Sequence, residues 1–309
     1  MSRAGGWRMA LAAAGFALAA LLPLVDQGYL LTFAVTVAMY AVLATSWAVF
    51  SGPTRYISLA TAAFYGLGTY VVAIGIDVLP YPLLLLLALL AGAVLAGIVG
   101  LATLRLSGVY FVIFTLGLAE LVRQLVTWTQ NNFGTSRGLY VLTDLTESHI
   151  YWELLAATAA VYLFGWWIGR SRIGFALRII GNDEVVAEHC GIGTAASKVA
   201  LFMFSGAVAA LVGALLAPRW TYIDPGIAFS PILSFQVVIM ALLGGAGRLW
   251  GPLLGVLPFA LLWEVISAQF PNQTTLLLGI AFLLVVYVVP HGVAGRLETL
   301  LHALRRGRG

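Results

Sequence analysis

Two ionisable side chains interrupt the apolar motif LAELVRQLV, in which Glu120 and Arg123 lie three residues apart. In a helix, that spacing brings both side chains to one face and lets them form an ion pair. An ionised group in hydrocarbon costs about 3 kcal/mol, so it normally faces protein or a water-filled cavity. The pair therefore indicates either a structural link between helices or the polar lining of a route for a solute.

A second motif, YISLATAAFYGLGTY, mixes hydroxyl groups into an apolar stretch at positions 56–70. Such hydroxyls either bond the backbone of their own helix or line a wet cavity, and the sequence leaves both open. The motif GVYFVIFTLGLAELVRQLV adds further hydroxyls beside the ion pair. The candidates for a solute pathway are Ser58, Thr61, Tyr65, Tyr110, Thr115, Glu120 and Arg123.

The chain lacks the residue patterns that catalysis or phosphate binding requires. Its only lysine, Lys198, lies between Ser197 and Val199, so it does not belong to a Gly-Lys-Ser/Thr phosphate loop. In GAGRLWG, Trp250 stands where a dinucleotide-binding motif has its third glycine. The histidines lack the paired spacing of metal ligands, and no Ser–His–Asp set can be nominated. We therefore expect no enzyme activity, no bound cofactor and no metal site in this chain.

The composition is typical of a membrane protein. Hydrophobic residues make up 61% of the 309 residues and charged residues only 9%, with a mean hydropathy of +1.00. Soluble domains carry about 25% charged residues, so lipid must be the main solvent of this chain. The isoelectric point near 9.3 reflects arginines that usually mark cytoplasmic loops, and a nucleic-acid partner is not expected. Residues 1–309 are predicted to form a single all-α polytopic membrane domain.

A helix needs about 20 apolar residues to cross the hydrocarbon layer, which gives about ten spans, within a range of about eight to ten. They are placed near residues 7–23, 28–50, 57–76, 81–104, 109–127, 152–168, 198–217, 231–247, 252–267 and 274–290. The third span, which contains GLGTY, and the ninth, which begins GPLLG, are candidates for broken or partly inserted helices. The N-terminal apolar stretch is interpreted as a retained span rather than a signal peptide.

An even number of spans places both termini on the same side of the membrane. That side receives thirteen of the 16 basic residues, and the opposite side receives Arg123, Arg137 and Arg219. Because cytoplasmic loops are enriched in basic residues, both termini are predicted to be cytoplasmic. The same rule places a mixed-charge loop, residues 169–197, on the cytoplasmic side.

The second half of this loop, NDEVVAEHCGI, is predicted to contain a short helix. The helix can begin at Asn182 or Asp183, whose side chain can accept hydrogen bonds from free backbone N–H groups. Helical spacing would then gather Val186, Ala187 and Cys190 on one apolar face. The two glutamates of this segment would remain for polar contacts.

Glycines recur at four-residue spacing in two places. They are Gly247, Gly251 and Gly255 in one segment, and Gly165 and Gly169 in another. Small residues at this spacing let helix backbones approach closely in lipid, so both segments are predicted to pack tightly against other helices.

Five motifs, in this order and spacing, give the chain a family resemblance. They are ISLATAAFYGLGTY, GVYFVIFTLGLAELVRQLV followed by NNF, SRIGFALRIIGNDEVVAEHCGI, SFQVVIMALLGGAGRLWGPLLG and VVPHGVAGRL. Over nearly its whole length the chain resembles the inner-membrane permeases of bacterial branched-chain amino acid ABC importers, the LivM-like half of the pair.

The resemblance implies an ABC importer permease fold, a multi-pass protein of the bacterial inner membrane, and defined partners. These are a homologous second permease, two cytoplasmic ABC ATPase subunits that bind ATP and Mg, and a periplasmic substrate-binding protein. It also implies that the loop before the seventh span docks on an ATPase. The residues that inherit this coupling role are Asn182, Asp183, Glu184, Ala187, Glu188, Gly191 and Ile192.

The chain departs from the family pattern at positions that can face the cargo. Ala60 and Thr61 stand where members often have Gly-His, and GTSRG follows Phe133 where members often have Thr-Gly-Gly after the Asn pair. Branched-chain or related amino acids are the expected cargo, with urea, short amides or aromatic acids as alternatives within the family. An ATP-independent secondary transporter or channel is the alternative outside it.

Overall fold

A computed structural model describes residues 15–25, 28–103, 108–133, 138–288 and 295 of the chain. The long apolar stretches form α1 Gly15–Leu24, α2 Tyr29–Thr54, α3 Thr61–Gly75, α4 Tyr81–Thr103, α5 Val109–Phe133 and α6 Glu147–Arg170. The second half contains α7 Arg172–Asn182, α8 Glu184–His189, α9 Thr194–Leu216, α10 Pro225–Ala228, α11 Pro231–Gly244, α12 Gly251–Gln269 and α13 Thr274–Val288. Short 3₁₀ turns follow α9 at Ala217–Arg219 and precede α13 at Pro271–Gln273.

The prediction of an all-α polytopic membrane protein is confirmed. Each of the ten predicted spans overlaps a helix, but by length and composition only six helices of the described residues are able to cross a membrane. These are Tyr29–Thr54, Tyr81–Thr103, Val109–Asn132, Thr194–Arg219, Pro225–Gly244 and Gly251–Gln269. The count of ten spans is therefore approximate, because α1, α3 and α13 are shorter than a full crossing requires, and α6, although 24 residues long, is not among the six.

The third predicted span is shorter than expected but is not broken at GLGTY, since α3 runs through that motif without interruption. Residues 55–60 are not helical, and α3 begins only at Thr61 and contains 15 residues. Ser58, Leu59 and Ala60 are nevertheless buried. Non-helical backbone is tolerated at membrane depth only where protein or a wet cavity covers it, and here protein does.

The suggestion of a broken ninth span is wrong, since α12 runs without interruption from Gly251 to Gln269. Pro252 lies in its first turn, where the backbone N–H would have no helical partner in any case. Pro258 lies inside the helix on an exposed side, and helices in membranes tolerate such a proline. A short break, at Phe229 and Ser230, separates α10 from α11 just before the eighth predicted span.

Helix α9 lies at the centre of the bundle and packs against α2, α3 and α4. Glycines make this possible, because a Cβ on Gly68 would lie 1.8 Å from the carbonyl oxygen of Ala210, and one on Gly213 would lie 2.0 Å from that of Tyr65. The helices thus touch backbone to backbone, as small residues allow in lipid. The sequence patterns did not single out either glycine.

The glycines with four-residue spacing differ in how closely they pack against neighbouring elements. A Cβ on Gly255 would lie 2.0 Å from the carbonyl oxygen of Met240, so α12 packs closely against α11 there as predicted. Gly165 lies against Leu249. A Cβ on Gly169 or Gly247, in contrast, would meet nothing within 4 Å, so tight packing was a wrong prediction at those two positions.

The bundle has two distinct ends. At one, which we call the α8 end, Nη2 of Arg55 donates to Oδ1 of Asn182 at 3.3 Å. At the other, the β end, strands β1 Leu139–Tyr140 and β2 Tyr222–Ile223 pair antiparallel and link the ends of α5 and α9. The predicted cytoplasmic termini fall largely outside the described residues.

Candidate functional site

Helix α8 begins where the capping pattern predicts. Oδ1 of Asp183 accepts the backbone N–H groups of Val185 at 2.9 Å and Val186 at 3.2 Å, so the helix starts at Glu184. At the other end, Gly191 adopts φ +77°, the left-handed conformation that favours glycine at a helix C-terminus. Two local signals, an aspartate and a glycine, therefore define this six-residue helix.

The faces of α8 differ from the prediction. Ala187 is fully buried against the chain, whereas Val185 and Val186 are 61% and 50% exposed and Cys190 is exposed as well. The predicted common face of Val186, Ala187 and Cys190 is therefore wrong. The physical reason is that α8 lies against α7 and α9, and the small Ala187 side chain fits into that contact. The free apolar surface of α8 is the Val185–Val186 pair.

The polar residues of the coupling segment contact their own chain. Oε1 of Glu188 accepts the hydroxyl of Thr194 at 2.9 Å, and Asn182 contacts Arg55. Ile192 is partly buried, and its N–H donates to the carbonyl of Ala187 at 3.1 Å. Several side chains that the resemblance assigns to a partner thus also hold the coupling segment in place.

A partly buried ion pair, with the Glu184 side chain 34% exposed, ties α8 to the rest of the bundle. Nζ of Lys198, whose side chain is 3% exposed, pairs with Glu184 at the start of α8. The Tyr56 hydroxyl donates to Oε2 of Glu184 at 3.2 Å and accepts from Nζ of Lys198 at 3.3 Å. Nζ also lies 4.7 Å from the centroid of the Tyr56 ring. We call Tyr56, Glu184 and Lys198 the Lys198 cluster; it joins α8, α9 and the 55–60 segment.

The 55–60 segment is held by side chains from two neighbouring helices. The indole N–H of Trp47 donates to the carbonyl of Ser58 at 2.7 Å, and the N–H of Leu59 donates to Oγ1 of Thr115 at 3.0 Å. The N–H of Ala62, in the first turn of α3, donates to Oγ of Ser234 at 2.9 Å. These contacts satisfy backbone groups that would otherwise be costly at membrane depth.

The seven pathway candidates do not form one site. Ser58 and Thr115 are buried and bond the 55–60 segment, while Thr61 and Tyr65 are buried on α3. Tyr110 is exposed at the start of α5. Glu120 and Arg123, on the same helix, form the predicted ion pair, with Nε of Arg123 at 2.9 Å from Oε2 of Glu120.

This pair belongs to a longer polar row on one helix. The row, which we call the α5 polar stripe, consists of Glu120, Arg123, Gln124, Thr127, Gln130 and Asn131. Nε2 of Gln124 also donates to Glu120, at 2.8 Å. The Glu120 and Arg123 side chains are 46% and 34% exposed, near the middle of a 25-residue helix that presents much of its surface outward. Both charged groups are therefore partly exposed near the middle of a helix that is long and apolar enough to cross a membrane.

The stripe leads into a cavity of about 450 Å³ at the β end. Its walls are Arg123, Thr127, Gln130, Asn131, Tyr222, Asp224, Pro225 and Gly226. Oδ1 of Asp224 accepts the N–H of Gly226 at 2.6 Å, which fixes the carboxylate at the start of α10. Sequence reasoning identified Arg123 but missed Gln130 and Asp224, because only the fold brings α5 and α10 together.

Comparison with known proteins assigns this architecture to a family. The family model described as "Branched-chain amino acid transport system / permease component" matches residues 29–289. The chain is 24% identical to the high-affinity branched-chain amino acid transport system permease protein BraD of Pseudomonas aeruginosa, over 84% of this chain and 92% of that protein. It is also 24% identical to the permease protein LivM of Escherichia coli, over 82% of this chain and 67% of that protein.

A shorter similarity extends to a further permease, and none to known structures. Over 35% of each chain, the protein is 34% identical to the probable ABC transporter permease protein YphD of Escherichia coli. No solved structure matches the chain significantly. Because the family model covers most of the chain, including α2 to α12, the chain belongs to the branched-chain amino acid permease components of ABC transporters, which are multi-pass transport subunits rather than enzymes.

Proposed function

We propose that this chain is the membrane-spanning half of an ATP-driven importer for branched-chain or related amino acids, with ATP hydrolysed by partner subunits in the cytoplasm. The observation that carries the proposal is the position of α8. It offers two exposed valines at the α8 end, while its first residue, Glu184, is tied through the Lys198 cluster to the 55–60 segment. A displacement of α8 by the ATPase would thereby be transmitted to the non-helical 55–60 segment inside the bundle.

A homologous permease would cover the α5 polar stripe. Leaving a charged group against lipid costs about 3 kcal/mol, so a surface that carries Glu120 and Arg123 at membrane depth calls for a protein or water-filled neighbour. A second permease facing α5 would turn the stripe into one wall of a route. A periplasmic binding protein would release cargo at the cavity of about 450 Å³ into which the stripe leads.

The polar groups along this route suit a zwitterion. Arg123 binds Glu120 through Nε and Nη2, so its Nη1 group remains to donate to a cargo carboxylate. The carboxylate of Asp224, at the other side of the cavity, attracts an ammonium group. BraD and LivM, which match most of this chain, carry the name of branched-chain amino acid transport permeases. An uncharged cargo such as urea would gain less from such an arrangement.

Uptake by reconstituted protein tests the proposal directly. The chain is expressed with its candidate partners, purified through a tag on this chain, and reconstituted in liposomes with radiolabelled leucine, isoleucine and valine, and with urea as comparison. We expect an ABC ATPase to co-purify with the chain, and we expect uptake to require both ATP and the binding protein. ATP-independent uptake by this chain alone would overturn the proposal.

The single cysteine reports which side α8 faces. Cys190 is the only cysteine of the chain and is exposed at the end of α8. A membrane-impermeant maleimide is expected to label it in inverted inner-membrane vesicles but not in intact spheroplasts. Bound ATPase subunits should slow this labelling. Labelling in spheroplasts would place the α8 end outside and contradict the orientation.

The exposed valines test the docking role of α8. Replacing Val185 and Val186 by serine removes apolar surface whose burial is worth about 1.5 kcal/mol per side chain, so the affinity for the ATPase should weaken by about 100-fold. Val78, an exposed valine at the β end, provides the matched control V78S, which should retain the ATPase. If V185S/V186S and V78S recovered equal amounts of ATPase, α8 would not be the docking element.

A further inference from the structure

A second cavity, at the α8 end, is lined by positive charge. It has a volume of about 560 Å³ and lies between the ends of α2 and α6, helix α7 and the loop that joins α11 to α12. Arg55, Arg178 and Arg248 line it, and no carboxylate is among its lining residues. Much of the remaining wall is glycine: Gly52, Gly165, Gly169, Gly174, Gly181 and Gly247. We call this cavity the arginine cleft.

Two of its arginines are held by short-range contacts. Arg178 donates from Nη2 to the carbonyl of Gly169 at 2.9 Å and from Nε to that of Gly174 at 3.2 Å. Arg55 donates from Nη2 to Asn182. A guanidinium has five N–H donors, so each of these two side chains has more donors than these contacts use. The cleft therefore presents fixed guanidinium groups to an occupant.

The surroundings of the cleft are those of a membrane surface. On α7, Leu177 and Ile180 are buried against the bundle, whereas Phe175 is exposed and leaves an aromatic side chain uncovered at this end of the bundle. Trp166 and Trp167 of α6 are exposed beside it, and indole rings gather at the level of lipid headgroups. The cleft thus opens at headgroup depth rather than into bulk water.

We propose that the arginine cleft binds the phosphate headgroup of an anionic phospholipid of the phosphatidylglycerol type. Guanidinium groups pair with phosphate through charge-assisted hydrogen bonds, and basic pockets between membrane helices hold anionic headgroups. Glycine walls leave room for a phosphate to approach the backbone. The occupant would brace α7, which leads into α8, against α2 and α6. The proposal goes beyond the transport function and does not depend on it.

Lipid retention by the full chain tests this proposal. Purified protein is equilibrated with equal amounts of phosphatidylglycerol and phosphatidylcholine, and bound lipid is identified by native mass spectrometry. Wild-type protein is expected to retain one phosphatidylglycerol in preference. The variant G169L should lose this preference, because Gly169 lines the cleft and has no atom within 4 Å of an added Cβ, so a leucine can be accommodated there and reduces the cleft volume. The variant retains all three arginines. The double variant R55Q/R248Q should weaken retention by about fivefold for each arginine removed.

Two control variants separate the cleft from general effects. Gly279 on α13 also has nothing within 4 Å of a Cβ, and G279L should retain the lipid. Arg170 lies 4.2 Å above the Trp166 ring and does not line the cleft, so R170Q should retain it too. Equal retention of both lipids by wild-type protein, or equal loss in G169L and G279L, would overturn the proposal. If G169L retained the lipid but no longer co-purified with the ATPase, the cleft would be a protein-docking site instead.

Discussion

Replacing Glu184 by glutamine is expected to reduce ATP-coupled uptake by about two orders of magnitude. The substitution leaves the ammonium group of Lys198, which is 3% exposed, without its anionic partner. Removing one partner of a fully buried ion pair costs about 3 kcal/mol or more, which is a factor of about 100 in the equilibrium between the intact and the disrupted arrangement of α8. Uptake falls in proportion because it requires the intact arrangement. The lower end of that range applies here because Tyr56 still offers its hydroxyl oxygen and its ring to the ammonium group.

A double variant separates folding from coupling. Adding K198M to E184Q removes the positive charge that has lost its carboxylate, so yield and thermal stability in detergent should return towards the wild-type values. The connection between α8 and Tyr56 stays broken, however, and we expect ATP hydrolysis to continue with little uptake. The measurement is the number of leucine molecules imported per ATP hydrolysed. Asp77→Asn, which neutralises an exposed carboxylate in the turn after α3, is the matched control. Full uptake by the double variant would show that the cluster serves folding alone.

A milder substitution in the Lys198 cluster tests how a movement of α8 reaches the 55–60 segment. Tyr56→Phe keeps the aromatic ring against Lys198 but removes the hydroxyl that bonds both Glu184 and Lys198. Because the ion pair remains, folding should be nearly unaffected, and any fall in the import-to-hydrolysis ratio reports on the link to the 55–60 segment. A drop in ATPase recovery instead would mean that this hydroxyl shapes the docking surface.

The local features of α8 were predictable because their causes are local. Asp183 caps N–H groups two and three residues ahead, and the predicted helix start follows from that short range. The direction in which Ala187 points was not predictable, since a helix of six residues is too short for periodicity to define a face. Which side becomes buried depends on where α7 and α9 lie.

The partners of the one lysine illustrate the same limit over longer range. Lys198 and Tyr56 are 142 positions apart, and no spacing rule connects them. The only available signal was that a single lysine occurs in a chain that otherwise uses arginine for positive charge. Likewise, Gly68 shows its role only beside Ala210 of α9. The Glu120–Arg123 pair was predicted, in contrast, because both residues lie on one helix.

The second large effect is expected when Glu120 and Arg123 are both replaced by leucine. Sequence reasoning left two roles open for this pair, a structural ion pair or the lining of a route, and the structure shows it partly exposed on α5. If the pair only stabilised the fold, apolar replacements of similar size would be neutral or stabilising. We expect the protein to assemble normally and uptake to fall about 100-fold, because the cargo would lose charged partners each worth about 1.5 kcal/mol or more.

Assembly and transport must therefore be measured on the same preparation of E120L/R123L. Thr129 provides the control T129L, since it is exposed on the same helix, bonds only its own turn at 2.8 Å, and lies outside the stripe. The single variant E120L should behave differently from the double, because it strands Arg123 at membrane depth and should lower the yield as well as uptake. Wild-type uptake by the double variant would assign the pair to structure and move the route away from α5. Loss of uptake with normal assembly would place the charged pair on the path of the cargo.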